Sequence, residues 1–358
     1  MEKKTTYHEQ KDVENILRLR EVLSTLPPFC RDYFRAIDTT TTTKTRISYA
    51  YDIRIFFQFL LDENPAFKDY KMTDFTVDVL DQIKALDLEE YQEYLKVYQA
   101  GDKTETNGER GLKRKISALR SFYAYYYRRE MIETNPTVLI DVPKIHDKSI
   151  IRLDTDEVAL LLDYIEHCGD QLTGQKRVYY EKNKERDLAI VTLLLGTGIR
   201  VSECVGLDIE DVDFKNNGIK VTRKGGNEMV VFFGPEVEKA LKRYLEVREN
   251  IIPLEGHEHA LFYSAQRRRI GVQAIENLVK KYSQQITTTK KITPHKLRST
   301  YGTALYQETG DIYLVADVLG HKDVNTTKKH YAAQADSRRR MAAIAVRLRE
   351  KQPDSEEE

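Results

Sequence analysis

A chain of 358 residues with 41% hydrophobic and 32% charged content is long enough for two domains and can bury sizeable cores. Its three cysteines, Cys30, Cys168 and Cys204, stand far apart in no paired spacing, which argues against a disulfide framework or a zinc site and fits a reducing compartment. The 57 basic and 57 acidic residues cancel, so net charge alone points away from nucleic acid, but their distribution does not.

The opening "MEKKTTYHEQKDVENILRLR" mixes both charge signs and lacks an apolar core, so it does not read as a secretory signal. No window approaches transmembrane length, and a cytoplasmic protein is expected. The threonine run Thr39 to Thr43 reads as a loop leading into a helix. Two amphipathic helices follow, over "TRISYAYDIRIFFQFLLDEN" and "GLKRKISALRSFYAYYYRREMI". In the second, Leu112, Ile116, Leu119, Phe122, Tyr123 and Tyr126 recur at helical spacing, with basic residues over much of the rest. Tyr123 and Tyr125 to Tyr127 have the chemistry to stack on bases, but their spacing places several in the core.

Asn135, Pro136 and Pro143 break the helical pattern, because proline disfavours helix in the residue before it. A linker is placed at 141–152, between a helical domain at 1–140 and a second domain at 153–340. "LDTDEVALLLDYIEHCG" predicts a capped helix, "DQLTGQKRVYYEKNKE" a loop or a helix extension, and "ERDLAIVTLLLGTGIRVSECVGL" an apolar helix, a glycine turn and a second helix. "GIKVTRKGGNEMVVFF" alternates around Lys-Gly-Gly and predicts a hairpin. Helices return afterwards. The expected fold is mainly α with a small antiparallel β-sheet, closed by a C-terminal helix and acidic tail at 341–358.

Charge is segregated. Residues 110–129 carry seven basic side chains and no acid, Arg110, Lys113, Arg114, Lys115 and Arg120 among them, and residues 267–298 carry nine, beginning with Arg267, Arg268 and Arg269, against Glu276 alone. Ten acids against three lysines in 62–93 compensate. Basic faces on a neutral protein suit phosphate binding.

Four separated stretches carry the chemistry: "GTGIRVSE" with Arg200 and Glu203, "TRKGGN" with Lys224, "TPHKLRST" with His295 and Arg298, and "LGHKDVNTTKKHY" with His321 and Tyr331. A tyrosine, with an ordinary pKa of about 10, attacks a phosphodiester only if its proton is taken, the non-bridging oxygens are held and the departing alkoxide is protonated. Arginine's planar fork pairs with two phosphate oxygens at any relevant pH. His295 lies on the same helix face as Arg298, three residues on, and can serve as a base or a donor. A hairpin lysine holds a transferable proton that arginine cannot give. Each residue also has a plainer reading, such as an i, i+3 ion pair for Arg200 and Glu203, but their ordered coincidence favours chemistry.

In this order the stretches resemble the tyrosine recombinase (integrase) family, which includes Xer-type recombinases and phage and conjugative-transposon integrases. The resemblance implies a two-domain clamp around double-stranded DNA, its helical core-binding domain first. It implies Arg200, Lys224, His295, Arg298 and His321 as the catalytic set, Glu203 in support, and Tyr331 as nucleophile of a 3′-phosphotyrosyl link that releases a 5′-hydroxyl. Such a transesterification uses neither metal nor cofactor. It also implies a homotetramer on two DNA sites, with accessory recombination proteins as possible partners, and a C-terminal helix, buried through Met341, Ile344, Ala345 and Leu348, docking on a neighbour or on its own domain. Three departures stand out: ten positions separate His321 from Tyr331 where many members have one fewer, Ser299 follows Arg298 where a histidine is frequent, and Arg223 before Lys224 leaves open which cation reaches the leaving group. A silent DNA-binding accessory protein and a type IB topoisomerase-like enzyme are the alternatives. Chromosome-dimer resolution and mobile-element integration both fit, and the short stretch ahead of residue 20 leans toward a Xer-like layout.

Overall fold

The computed structural model describes residues 6–146, 150–223, 226–321, 323–325 and 327. Two units emerge, Met1–Lys148 and Ser149–Glu358, meeting within the stretch 141–152. Among the described residues no helix is long and apolar enough to cross a membrane.

The first unit holds α1 (Tyr7–Ser24), α2 (Cys30–Ala36), α3 (Thr43–Glu63), α4 (Val79–Gln82), α5 (Ala85–Tyr94), the strands β1 (Val97–Ala100) and β2 (Lys103–Thr106), and α6 (Glu109–Arg128). Thr42, next to last in the threonine run, is the N-cap of α3, its hydroxyl accepting from the Thr45 amide. Helix α3 packs on α1 and α6 around an aromatic core of Phe56, Phe57, Tyr91, Phe122, Tyr123 and Tyr126, mostly edge to face. Buried tyrosine hydroxyls find acceptors: Tyr126 donates to the Phe29 carbonyl at 2.9 Å and Tyr33 to Ser121 Oγ at 2.9 Å. Tyr123 and Tyr126 are therefore core, whereas Tyr127 is exposed. The β1–β2 hairpin turns at Gly101, whose φ of 61° suits a residue without a Cβ, and has no counterpart in the expected, mostly helical domain.

The second unit contains α7 (Thr155–His167), α8 (Gly174–Thr197), α9 (Val201–Gly206), strands β3 (Val212–Asp213), β4 (Gly218–Thr222) and β5 (Glu228–Phe232), α10 (Pro235–Arg248), α11 (Val272–Ile286), α12 (Pro294–Thr309) and α13 (Ile312–Leu319). The polar stretch 170–185 proves to be a helix extension for most of its length, since α8 begins at Gly174. Helix α8 is the spine, buried from Leu188 to Leu194 and touching α7, α10, α11 and α12. The sheet is antiparallel in the order β3-β4-β5, and Val221 pairs with Met229 near the hairpin end. The expected fold class, mainly helical with small antiparallel sheets, is the one observed.

Candidate active site

Local folding puts Arg200 at the N-cap of α9. There its amide donates to Glu203 Oε2 at 2.8 Å and its Nη1 to Oε1 at 2.6 Å. Glu203 is buried to 3% side-chain exposure, so the i, i+3 ion pair suggested by spacing exists and orients the half-buried Arg200. Just upstream, Gly198 closes α8 in the left-handed region at φ 63°. A Cβ there would run into the Tyr301 ring and Leu319, which explains a glycine at this crossing.

His295 and Arg298 both stand in the first turns of α12, which Pro294 opens at a position where a missing amide costs nothing. His295 is exposed, while Arg298 is buried to 4% exposure. Arg298 donates through Nη1 to the Gly198 carbonyl at 2.5 Å and through Nη2 to the Leu319 carbonyl. Ser299 turns its hydroxyl back on the His295 carbonyl at 3.1 Å.

The end of α13 gathers these groups. Gly320, in the left-handed region at φ 60°, caps the helix, with its own amide and that of His321 bonding back to Asp317 and Ala316. The last three carbonyls of this turn accept from three different arginines: Val318 from Arg223 Nη2 at 2.7 Å, Leu319 from Arg298, and Gly320 from Arg200 Nη2 at 3.3 Å. His321 follows at once, its Nδ1 at 2.7 Å from Thr327 Oγ1. Burial pulls the Arg223 guanidinium below its ordinary pKa; the like charge of Arg200 adds to this and Glu203 opposes it. Lys224 and Tyr331 lie outside the described residues, as does the segment 341–348. Among the described residues no group of three or more His, Cys, Asp or Glu side chains is placed to hold a metal ion.

Residues 152–338 match the phage integrase family, a span holding every motif residue from Arg200 to Tyr331. The chain is 33% identical over 341 residues to the tyrosine recombinase XerS of Lactococcus lactis subsp. cremoris (strain MG1363), covering 88% of this chain and 93% of that protein. The chain belongs to the phage integrase family and is a Xer-like tyrosine recombinase. It is also 31% identical to the tyrosine recombinase XerC of Caldanaerobacter subterraneus subsp. tengcongensis over 84% of this chain and 82% of that protein. The fold is shared with the Tn1549 transposon integrase in complex with transposon right end DNA, at a TM-score of 0.63 and 21% identity over 88% of this chain and 99% of that one. XerH site-specific recombinase bound to a palindromic difH substrate scores 0.61 at 21% identity, covering 84% of this chain and 78% of that one.

Of the recombinase's basic runs, part faces outward and part does not. Arg110, Lys113 and Arg114 are exposed on one side of α6. Lys115 is not available for phosphate: its Nζ lies 3.2 Å from Asp52 Oδ1 with side chains 7% and 1% exposed, and Arg114 pairs with the same carboxylate. Arg120 is likewise occupied, donating to the Thr137 carbonyl at 3.0 Å and the Ile140 carbonyl at 2.7 Å, which ties the chain leading to the linker onto α6. In the second unit Arg267 and Arg268 are exposed at a tight turn, but Arg269 is drawn inward to the carbonyls of Val205 and Leu207 and to Asp208. Sequence reasoning missed Asp52 and the use of these three cations as internal donors.

Proposed function

We propose that this recombinase cleaves and rejoins double-stranded DNA through a covalent link between Tyr331 and a 3′-phosphate, exchanging strands between two sites. The observation that carries the reading is the convergence of Arg200 and Arg298 on the one helix end that leads into His321. Two guanidiniums so placed can hold the non-bridging oxygens of a phosphodiester as negative charge builds on the phosphorus. His295, on the α12 turn before Arg298, and His321 supply imidazoles for proton transfer and oxygen contact. In cleavage the phosphorus–Tyr331 oxygen bond forms and the phosphorus–O5′ bond breaks. The phenol's proton is assigned to pass to the His295 imidazole, and Lys224 to deliver one to the departing 5′ oxygen. Attack by a 5′-hydroxyl of a partner strand reverses the step, so the ester keeps the bond energy.

The exposed cations Arg110, Lys113, Arg114, Arg267 and Arg268 are assigned to backbone phosphates. Four protomers on two sites would then bring two duplexes together. The test is a nicked suicide duplex, which should trap a covalent adduct in the wild type and none in Tyr331→Phe. Adduct from the phenylalanine variant would refute the nucleophile assignment. Relaxation of supercoils without exchange between two sites would favour the topoisomerase-like reading.

A further inference from the structure

Arg223 is not one of the groups to which the resemblance assigns chemistry, yet it reaches the same helix end as two that are. Its backbone is fixed at the mouth of the β4–β5 hairpin: the amide donates to the Asn227 carbonyl at 2.7 Å and the carbonyl accepts from Gly226 at 3.0 Å. From there the half-buried side chain crosses to α13, gives Nη2 to the Val318 carbonyl and lays Nη1 against Gly320, where a Cβ would occupy the same space. Its Nε is buried and has no hydrogen-bond partner among the described residues, an uncompensated donor that stability alone does not favour. A guanidinium stays protonated and has no proton to transfer, so Arg223 is unsuited to act as general acid.

We infer that Arg223 is a positioning residue: its guanidinium locks the last turn of α13, and so sets where the chain presents His321, directly after the carbonyls that Arg298 and Arg200 hold. The inference rests on the phosphate-site reading of those three residues. The lock works because donors from three separate elements hold three successive carbonyls. Without Arg223, the Val318 carbonyl loses its side-chain donor and the space beside Gly320 opens, so the turn can shift while both remaining arginines keep their bonds. A lysine has one nitrogen at its tip and cannot both reach Val318 and fill the space at Gly320.

The test uses the full-length recombinase and a nicked suicide duplex under single-turnover conditions, with DNA affinity measured separately. Arg223→Met and Arg223→Lys are expected to slow adduct formation at saturating enzyme by about 100-fold, the scale of a misplacement near 1 Å, with affinity and salt dependence unchanged. Lost affinity at an unchanged saturated rate would make Arg223 an ordinary phosphate contact and overturn the inference, as would no change in either quantity. Should Arg223→Met fail to fold, Gly320→Ala perturbs the same contact from the other side. Gly320→Ala should slow the wild type more than it slows Arg223→Ala, because the left-handed backbone strain is common to both and only the wild type adds the overlap with Arg223; equal effects in the two backgrounds would refute the contact. Amide exchange at Gly320 and His321 gives a readout that needs no reaction, and it should rise about 10-fold in Arg223→Met. Unchanged exchange overturns the lock even if Tyr331 proves not to be the nucleophile; raised exchange with no Tyr331-dependent adduct would sink the reaction scheme alone.

Discussion

Lys113 and Lys115 stand two residues apart on α6, and the structure predicts opposite consequences for removing them. Lys115→Met takes one of two cations from Asp52, whose side chain is 1% exposed. Removing one partner of a buried pair costs about 3–5 kcal/mol, and since Arg114 still serves Asp52 the lower end applies. For a unit of this size, each kcal/mol shifts Tm by roughly 2–4 °C, so a fall of about 6–12 °C is expected. Burial already holds the Asp52 carboxyl above its ordinary pKa, with Lys115 the main counterweight. Losing Lys115 raises it further, so the folded state binds a proton that the unfolded chain releases. The deficit is then full at neutral pH and shrinks as pH falls toward the ordinary carboxylate range near about 4. Lys113→Ala touches only solvent and should move stability by less than about 0.5 kcal/mol. Its effect belongs in DNA binding, where loss of one phosphate contact reduces the slope of log K against log salt by about 0.9. Calorimetry and anisotropy titrations at several salt concentrations read both quantities. A reduced salt slope for Lys115→Met at an unchanged Tm would refute the reasoning.

Arg298→Lys should leave either the Gly198 or the Leu319 carbonyl buried without its donor, costing about 1–3 kcal/mol by thermal unfolding, and should lower adduct formation because the planar fork is gone. Gly198→Ala combines a left-handed backbone with overlap on Tyr301 and Leu319 and is expected to destabilise the second unit by about 2–4 kcal/mol, read in the same calorimeter. Arg120→Met frees the Thr137 and Ile140 carbonyls and should speed limited proteolysis between residues 137 and 152, while leaving cleavage earlier in the first unit unchanged.

Short spacings made the local structure legible: the Arg200–Glu203 ion pair, His295 and Arg298 on one helix, and the paired strands β4 and β5. The fate of the α6 cations was only half legible. The basic run groups Lys115 with the outward cations although it shares a helical stripe with Leu112, Leu119, Phe122 and Tyr126; its partner Asp52 lies 63 residues earlier and no local window shows it. The β1–β2 hairpin escaped because its strands are exposed almost throughout and lack the apolar alternation that marks a half-buried strand. Arg223 stands out in the sequence only as a second cation beside Lys224, and its use was not legible, since it depends on a carbonyl 95 residues away.

The carbonyl row at the end of α13 has an electrostatic consequence. Three guanidiniums converging on one turn repel one another, and in solvent they would spread apart. Here each is paired with a peptide oxygen at the negative pole of a helix, so the mutual repulsion is offset before any anion arrives. A phosphate entering the site would meet a positive field already assembled, and little reorganisation would remain to be done as charge develops on its oxygens.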